Sequence, residues 1–188
     1  MTTLTESPLA QLPIARDPQW REEVELHRID SEDPDLFALR RDGVAAMELL
    51  FDEFVQGEGT RDRALVARVI GRLNEIQVRD FAMGMHTVDN LEAHLVMWGA
   101  LLRIAPPQSV APLACITAAL AYESENPVLA QLALDRAFED CDAYPLAQLL
   151  RRVFAAGWAP SEFAGMRAEL HPKVAANIFD IGESDISC

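Results

Sequence analysis

Hydrophobic positions along this chain recur at spacings of three and four far more often than at two. After Asp33-Pro34, Leu36, Phe37, Val44, Met47, Leu50, Phe51 and Phe54 mark a helix over about 34–56. Gly43 is expected to break it in two, and Gly57 and Gly59 to end it. Thr60 then caps a third helix carrying Leu65, Val66, Val69, Ile70 and Leu73. A short segment over about 76–84 follows, with Ile76, Val78 and Phe81. Asp89 or Thr87 opens the next helix, lined by Leu91, Leu95, Val96, Trp98, Leu101 and Leu102, and Ala105-Pro106-Pro107 stops it. Ser109 begins another, with Pro112 in its first turn and Leu113, Ile116 and Leu120 inside.

Two further helices read clearly. One runs from Asn126 to about Cys141, the other from Asp142 to Ala156, closed by Gly157. A last one, about Ser161 to Leu170, is expected to break at His171-Pro172. The first candidate, about 18–28, is weakly patterned and carries Trp20. Asp17-Pro18, Asp33-Pro34 and Asn126-Pro127 each place a capping oxygen before a proline, which has no backbone N–H to leave unpaired at a helix start.

No stretch alternates at two residues between hairpin turns, so the pattern predicts an all-α fold. Connections of a few residues predict a compact bundle of seven to nine mostly antiparallel helices. Residues 1–16 read as a flexible arm, 17–171 as one helical domain and 172–188 as a tail. Ala118, Ala130, Leu134 and Ala137 fall where a tetratricopeptide-like helix pair places small residues, so the C-terminal half has helix-hairpin character. One copy does not make a solenoid.

Composition changes the picture mainly through charge. The chain has 188 residues with 16 basic and 30 acidic, a net charge of −14. Such a surplus argues against binding nucleic acid through phosphates and against an anionic membrane surface. No apolar run is long enough to cross a bilayer. The surplus is uneven: residues 1–62 carry 15 acids and 6 bases, whereas residues 63–120 carry 4 and 5. Lys173 is the single lysine, which leaves a phosphate-cradling lysine loop almost no candidate.

A second region looks familiar as a set of short stretches. Val78-Arg79-Asp80 follows a helix, and Trp98 precedes Arg103-Ile104-Ala105-Pro106. Then come Val110-Ala111-Pro112-Leu113 and the run Ala130-Gln131-Leu132-Ala133-Leu134-Asp135-Arg136-Ala137. Tyr144-Pro145-Leu146-Ala147-Gln148-Leu149-Leu150 leads to Gly157-Trp158-Ala159-Pro160. From Arg63 to about Met166 the chain resembles the C-terminal helical half of an actinobacterial family catalogued as domain of unknown function 4192. Family members usually begin with an α/β portion carrying a Pro-His-Leu-Leu-Gly-Phe-like stretch, which this sequence lacks. The resemblance therefore implies a truncated, helical relative of actinobacterial range. It brings no catalytic residues.

Candidate chemistry is sparse. His27, His86, His94 and His171 form no metal-binding spacing, and Glu23 with His27 is a lone pair. Cys115 sits in an apolar pattern, Cys141 lies between Asp140 and Asp142, and Cys188 is terminal. Three widely spaced cysteines point to a reduced, cytoplasmic setting. No catalytic residue, metal site or cofactor is expected. The leading expectation is a non-catalytic interaction module that binds a protein partner, a basic one if it uses the acidic run. Its face would combine Glu22, Glu23, Glu25, Asp30, Glu32, Asp33 and Asp35 with the aromatic anchors Trp20 and Trp158, or a groove beside the helix pairs of 109–156. Two other readings stand beside it: a nucleic-acid mimic that occupies a basic protein, and an enzyme or small-ligand sensor with a pocket between helices. A homodimer is compatible with all three.

Overall fold

A computed structural model describes residues 16–57 and 62–179. Among them the chain forms nine helices and no strand. They are α1 (Pro18–Glu25), α2 (Leu36–Val55), α3 (Arg63–Arg72), α4 (Ile76–Gly84), α5 (Leu91–Ile104), α6 (Val110–Glu123), α7 (Pro127–Asp140), α8 (Pro145–Ala155) and α9 (Pro160–Phe179). The fold is an all-α bundle. The expected arm over residues 1–15, the expected cap Thr60, Gly59 and the tail beyond Phe179 lie outside the described residues.

The bundle is organised around α6. Every residue from Val110 to Tyr122 is buried. Its sequence, apolar on all sides, leaves no solvent face to offer. It packs most extensively against α7, then α5, and also touches α4, α8 and α9. Ala114, Ala118 and Ala121 on α6 and Ala130, Ala133 and Ala137 on α7 are buried, and small residues let the two backbones approach closely. This is the helix hairpin read from the alanine spacing.

A buried helix still has unpaired N–H groups at its first turn. Ser109 stands at the N-cap of α6, but its side chain makes no capping bond. Instead the Asp140 carboxylate, at the far end of α7, accepts from the backbone N–H of Gln108 at 2.7 Å, Val110 at 3.1 Å and Ala111 at 3.0 Å. The α6–α7 hairpin thus closes on itself. Local caps hold elsewhere: Asp17 accepts from Gln19, Asn126 from Leu129, and Glu75 from Gln77 and Val78. Asp62 accepts from Ala64 and Leu65 and starts α3.

Three boundaries differ from the sequence reading. The Asp33-Pro34 pair forms a turn, with Asp33 accepting from the Asp35 N–H, and α2 starts two residues beyond Pro34. Gly43 does not break α2. A Cβ there would lie 3.0 Å from Val78 Cγ1 and 3.1 Å from Arg72 Cβ, so the bare backbone is what lets α2 lie against α3 and α4. Packing outweighs the roughly 1 kcal/mol helix penalty of glycine. His171-Pro172 does not end α9 either. The helix runs through Pro172 to Phe179, because its last turns bury Ile178 and pack Val174 and Ala175 against the core. The helical contacts there offset the one backbone bond that proline cannot make.

Asp140→Ala removes the acceptor for three backbone N–H groups at once. It should destabilise the protein by about 2 kcal/mol, the upper end for loss of a cap, with the loss read as a lower urea midpoint at unchanged slope.

Candidate functional site

Where α8 stands off from the packed α4–α9 pair, an opening lies between the three helices. The α4 wall presents Arg79, Asp80 and Met83; the α8 wall Leu146, Leu149, Leu150 and Val153; the α9 wall Phe163, Met166, Leu170 and Val174. These positions recur at three and four along each helix, so each helix turns one stripe inward. The cleft they enclose has a volume of about 500 Å³. Ile76, Leu149 and Leu170 line it and remain about half exposed.

Polar groups gather at two points. Tyr144-Pro145 starts α8 with proline in its first turn, and this sets the Tyr144 phenol beside α4. There Arg79 donates to the Tyr144 hydroxyl at 3.1 Å and, through Nε and Nη2, to Asp80 Oδ1 at 2.9 and 2.6 Å. Burial pushes the Tyr144 hydroxyl up, so it keeps its proton at neutral pH.

The second point is a buried ion cluster at the C-terminal end of α6. Arg167 from α9 donates to the Glu123 carboxylate through Nε at 2.7 Å and Nη2 at 3.2 Å, and to the Gly84 carbonyl at 3.1 Å. His86 Nε2 lies 2.9 Å from Glu123 Oε2. Burial works against the Glu123 charge, but the hydrogen bonds from His86 and Arg167 outweigh it and hold the carboxyl below its ordinary range. Gly84 is required here: a Cβ would fall 2.2 Å from His171 Nδ1. That close approach brings α4 onto α9 and fixes the depth of the cleft.

A smaller cavity of about 270 Å³ lies beside the first turn of α6, between Arg28, Gln108, Asp140 and Cys141. Asp140 already satisfies the N–H groups that face it.

The acidic run does not assemble into one site. Glu23 pairs with Arg63, and Glu25 lies 3.4 Å from Arg28. Asp30 and Asp33 turn back to accept from the Glu32 and Asp35 backbone N–H groups. Glu22, Glu32 and Asp35 are exposed. Trp20 is no surface anchor, which corrects the sequence reading. It is 0% exposed, and its indole N–H donates to the Ile104 carbonyl at 2.8 Å. A tryptophan on a weak amphipathic helix buries the largest apolar area that helix offers, and its polar N–H finds a backbone acceptor. Trp158 is 41% exposed, and its carbonyl accepts from Tyr122. It stands apart from the acidic run, in the turn between α8 and α9. The groove expected beside 109–156 is present in part: α8 forms one wall, but α4 and α9 form the others.

A family model described as Domain of unknown function (DUF4192) matches residues 5–161. The chain belongs to this family. The match takes in residues 5–62, which the resemblance in the sequence leaves out, so the acidic run lies within the family region. Most of α9 lies beyond the match, so the cleft of this family member combines matched walls (α4, α8) with an unmatched one. No curated protein and no solved structure matches the chain.

Two histidines and one cysteine of this DUF4192 chain, His86, His94 and Cys115, are buried. His94 stacks on Phe51 with ring centroids 3.7 Å apart. Burial first, and then the nearby His86, lowers its pKa to about 4. Burial also lowers His171 and His27. The Cys115 thiol is pushed up to about 12 by burial, which makes it a poor nucleophile. Cys141 is free and exposed, and Cys188 lies outside the described residues. Among the described residues no cluster of three or more His, Cys, Asp or Glu could hold a metal ion.

The sequence reading missed the Arg79–Tyr144 and Glu123–Arg167–His86 groups. Their partners are 65, 44 and 37 residues apart, so no local spacing could reveal them. The one local sign was Tyr144-Pro145, a helix start that fixes the phenol.

Glu123→Gln removes the charge that balances Arg167 and should cost about 3 kcal/mol at neutral pH, measured by urea denaturation. His94 supplies a pH prediction. Its folded value near 4 lies below the ordinary 6.5, so the unfolded chain binds the extra proton first. Its contribution to stability is intact above about pH 6.5 and declines as pH falls towards 4. His94→Phe keeps the stack on Phe51 and should flatten that part of the stability–pH curve.

Proposed function

We propose that the protein is a non-catalytic helical binding module, and that the α4–α8–α9 cleft is where it takes its ligand. The observation that carries this reading is the cleft itself. Its 500 Å³ falls within the roughly 300–1,000 Å³ of small-molecule sites, with mostly apolar walls and a few polar groups gathered at defined points. Arg79 and Arg167 are held by carboxylates from the chain, His94 is buried against the Phe51 ring, and His86 is buried against Glu123. Those arrangements suit a preformed receptor surface better than a reacting centre.

A second reading keeps the protein-interaction module. Ile76, Leu149 and Leu170 leave three large apolar side chains at the cleft mouth, the kind of patch that marks a protein contact. A partner would then insert an apolar segment between α8 and α9, while the exposed Glu22, Glu32 and Asp35 would suit a basic neighbour. Free Cys115 and Cys141 fit a reducing, cytoplasmic setting. Among the described residues no helix is long and apolar enough to cross a membrane.

Methionine methyl spectra test the cleft directly. In a fragment screen on the full chain, Met83 and Met166 in the walls should shift, while Met47 and Met97 in the core stay in place. A screen in which neither cleft methionine responds to any fragment would overturn the small-ligand reading.

A further inference from the structure

Resting on the cleft as the binding site, we infer that its ligand is an amphipathic monocarboxylate. The carboxylate is held by Arg79 and Tyr144, and the apolar chain lies along α8 and α9.

Donor capacity carries the head-group assignment. A guanidinium has five N–H donors. Arg79 uses one on Nε and one on each terminal nitrogen for Asp80 and Tyr144, so each terminal nitrogen keeps one N–H. The Arg79 side chain is only 12% exposed, which leaves water little access to those donors. The Tyr144 hydroxyl accepts from Arg79, and its own proton meets no acceptor among the described residues. Arg79 and Tyr144 both line the cleft. Two N–H groups and one O–H are thus left without a protein partner on side chains that border a mostly apolar space, with the Asp80 carboxylate also in its lining.

Charge counting sets the valence of the head. Asp80 already offsets part of the Arg79 charge. The other guanidinium in the walls, Arg167, is taken by Glu123 and the Gly84 carbonyl. His171 is held neutral-leaning by its buried position. A singly charged carboxylate adds one negative charge beside the Arg79–Asp80 pair, whereas a doubly charged phosphate would add two, with no second unpaired cation among the described wall residues. The tail follows from the stripe opposite: Leu146, Leu150 and Val153 on α8 face Met166, Leu170 and Val174 on α9. These take an unbranched apolar chain by burial alone.

Calorimetric titration of the full chain with hexanoate, octanoate, decanoate, decanol and decyl phosphate tests each part. Affinity should rise roughly threefold per added methylene, as burial of a growing chain requires. Decanoate should bind roughly tenfold tighter than decanol, and tighter than decyl phosphate, because its head makes charge-assisted hydrogen bonds without excess charge. Tyr144→Phe keeps the ring packing and should weaken decanoate several-fold while leaving decanol unchanged. Leu149→Glu, at an exposed wall position, should abolish binding of both without unfolding the protein. Decanol binding as tightly as decanoate, or Tyr144→Phe weakening both equally, overturns the carboxylate assignment and leaves the cleft standing. Tighter binding of decyl phosphate overturns the monoanion assignment. If no probe binds while Met83 and Met166 respond to other fragments, the ligand class falls alone. If those methionines are silent too, the cleft reading falls with it.

Discussion

The bundle depends on one requirement: α6 is buried on every side, so both of its ends must be satisfied by other parts of the chain. Thirteen consecutive buried residues, Val110 to Tyr122, supply the apolar surface around which the other helices pack. That burial is favourable only if the polar ends do not go unpaired. At the N-terminal end, the Asp140 carboxylate meets three backbone N–H groups. A negative charge there also complements the helix dipole. The C-terminal end is harder, because Glu123 is an acid where the dipole favours a base. Arg167 and His86 reverse that penalty with direct hydrogen bonds.

The cleft follows from how that second end is satisfied. Glu123 draws Arg167, and with it α9, towards the core. Arg167 also donates to the Gly84 carbonyl, so the same side chain ties α9 to α4. The absence of a Cβ on Gly84 allows His171 to close the joint. With α9 pinned near one end of α4, and α8 held by Tyr144 beside Arg79, the three helices cannot collapse onto a common seam. The space between them stays open and keeps its apolar lining. The groups that build the cleft are thus the ones that solve a capping problem in the core.

The large negative charge has a more ordinary place than a single binding face. Many of its carboxylates work within the fold. Asp17, Asp62, Glu75 and Asp140 cap helices, Glu23 pairs with Arg63, and Glu123 anchors α9. Asp30 and Asp33 bond to turn backbone. Surface pairs such as Glu25 with Arg28 add little, because water screens them.

The sequence by itself determined the helices and most of their ends. Periodicity and caps act within a few residues, and those signals are local: the 76–84 segment, the Asn126-Pro127 start and the helix beginning at Ser109 all read directly. Where the reading failed, a distant contact had overruled a local preference. Gly43 and Pro172 stay inside helices because packing outweighs their penalties, and Trp20 leaves the surface because Ile104 offers its indole an acceptor across 84 residues. Of the cleft, only the α8 wall lay in the region where a groove was expected. Its α4 wall is formed by a segment that reads as a short amphipathic helix, and its α9 wall by a helix expected to end at His171. Arg79 reaches Tyr144, and Glu123 reaches Arg167, only after the chain has folded. Tertiary structure decided the site because hydrogen bonds between residues dozens of positions apart leave no periodic trace along the chain.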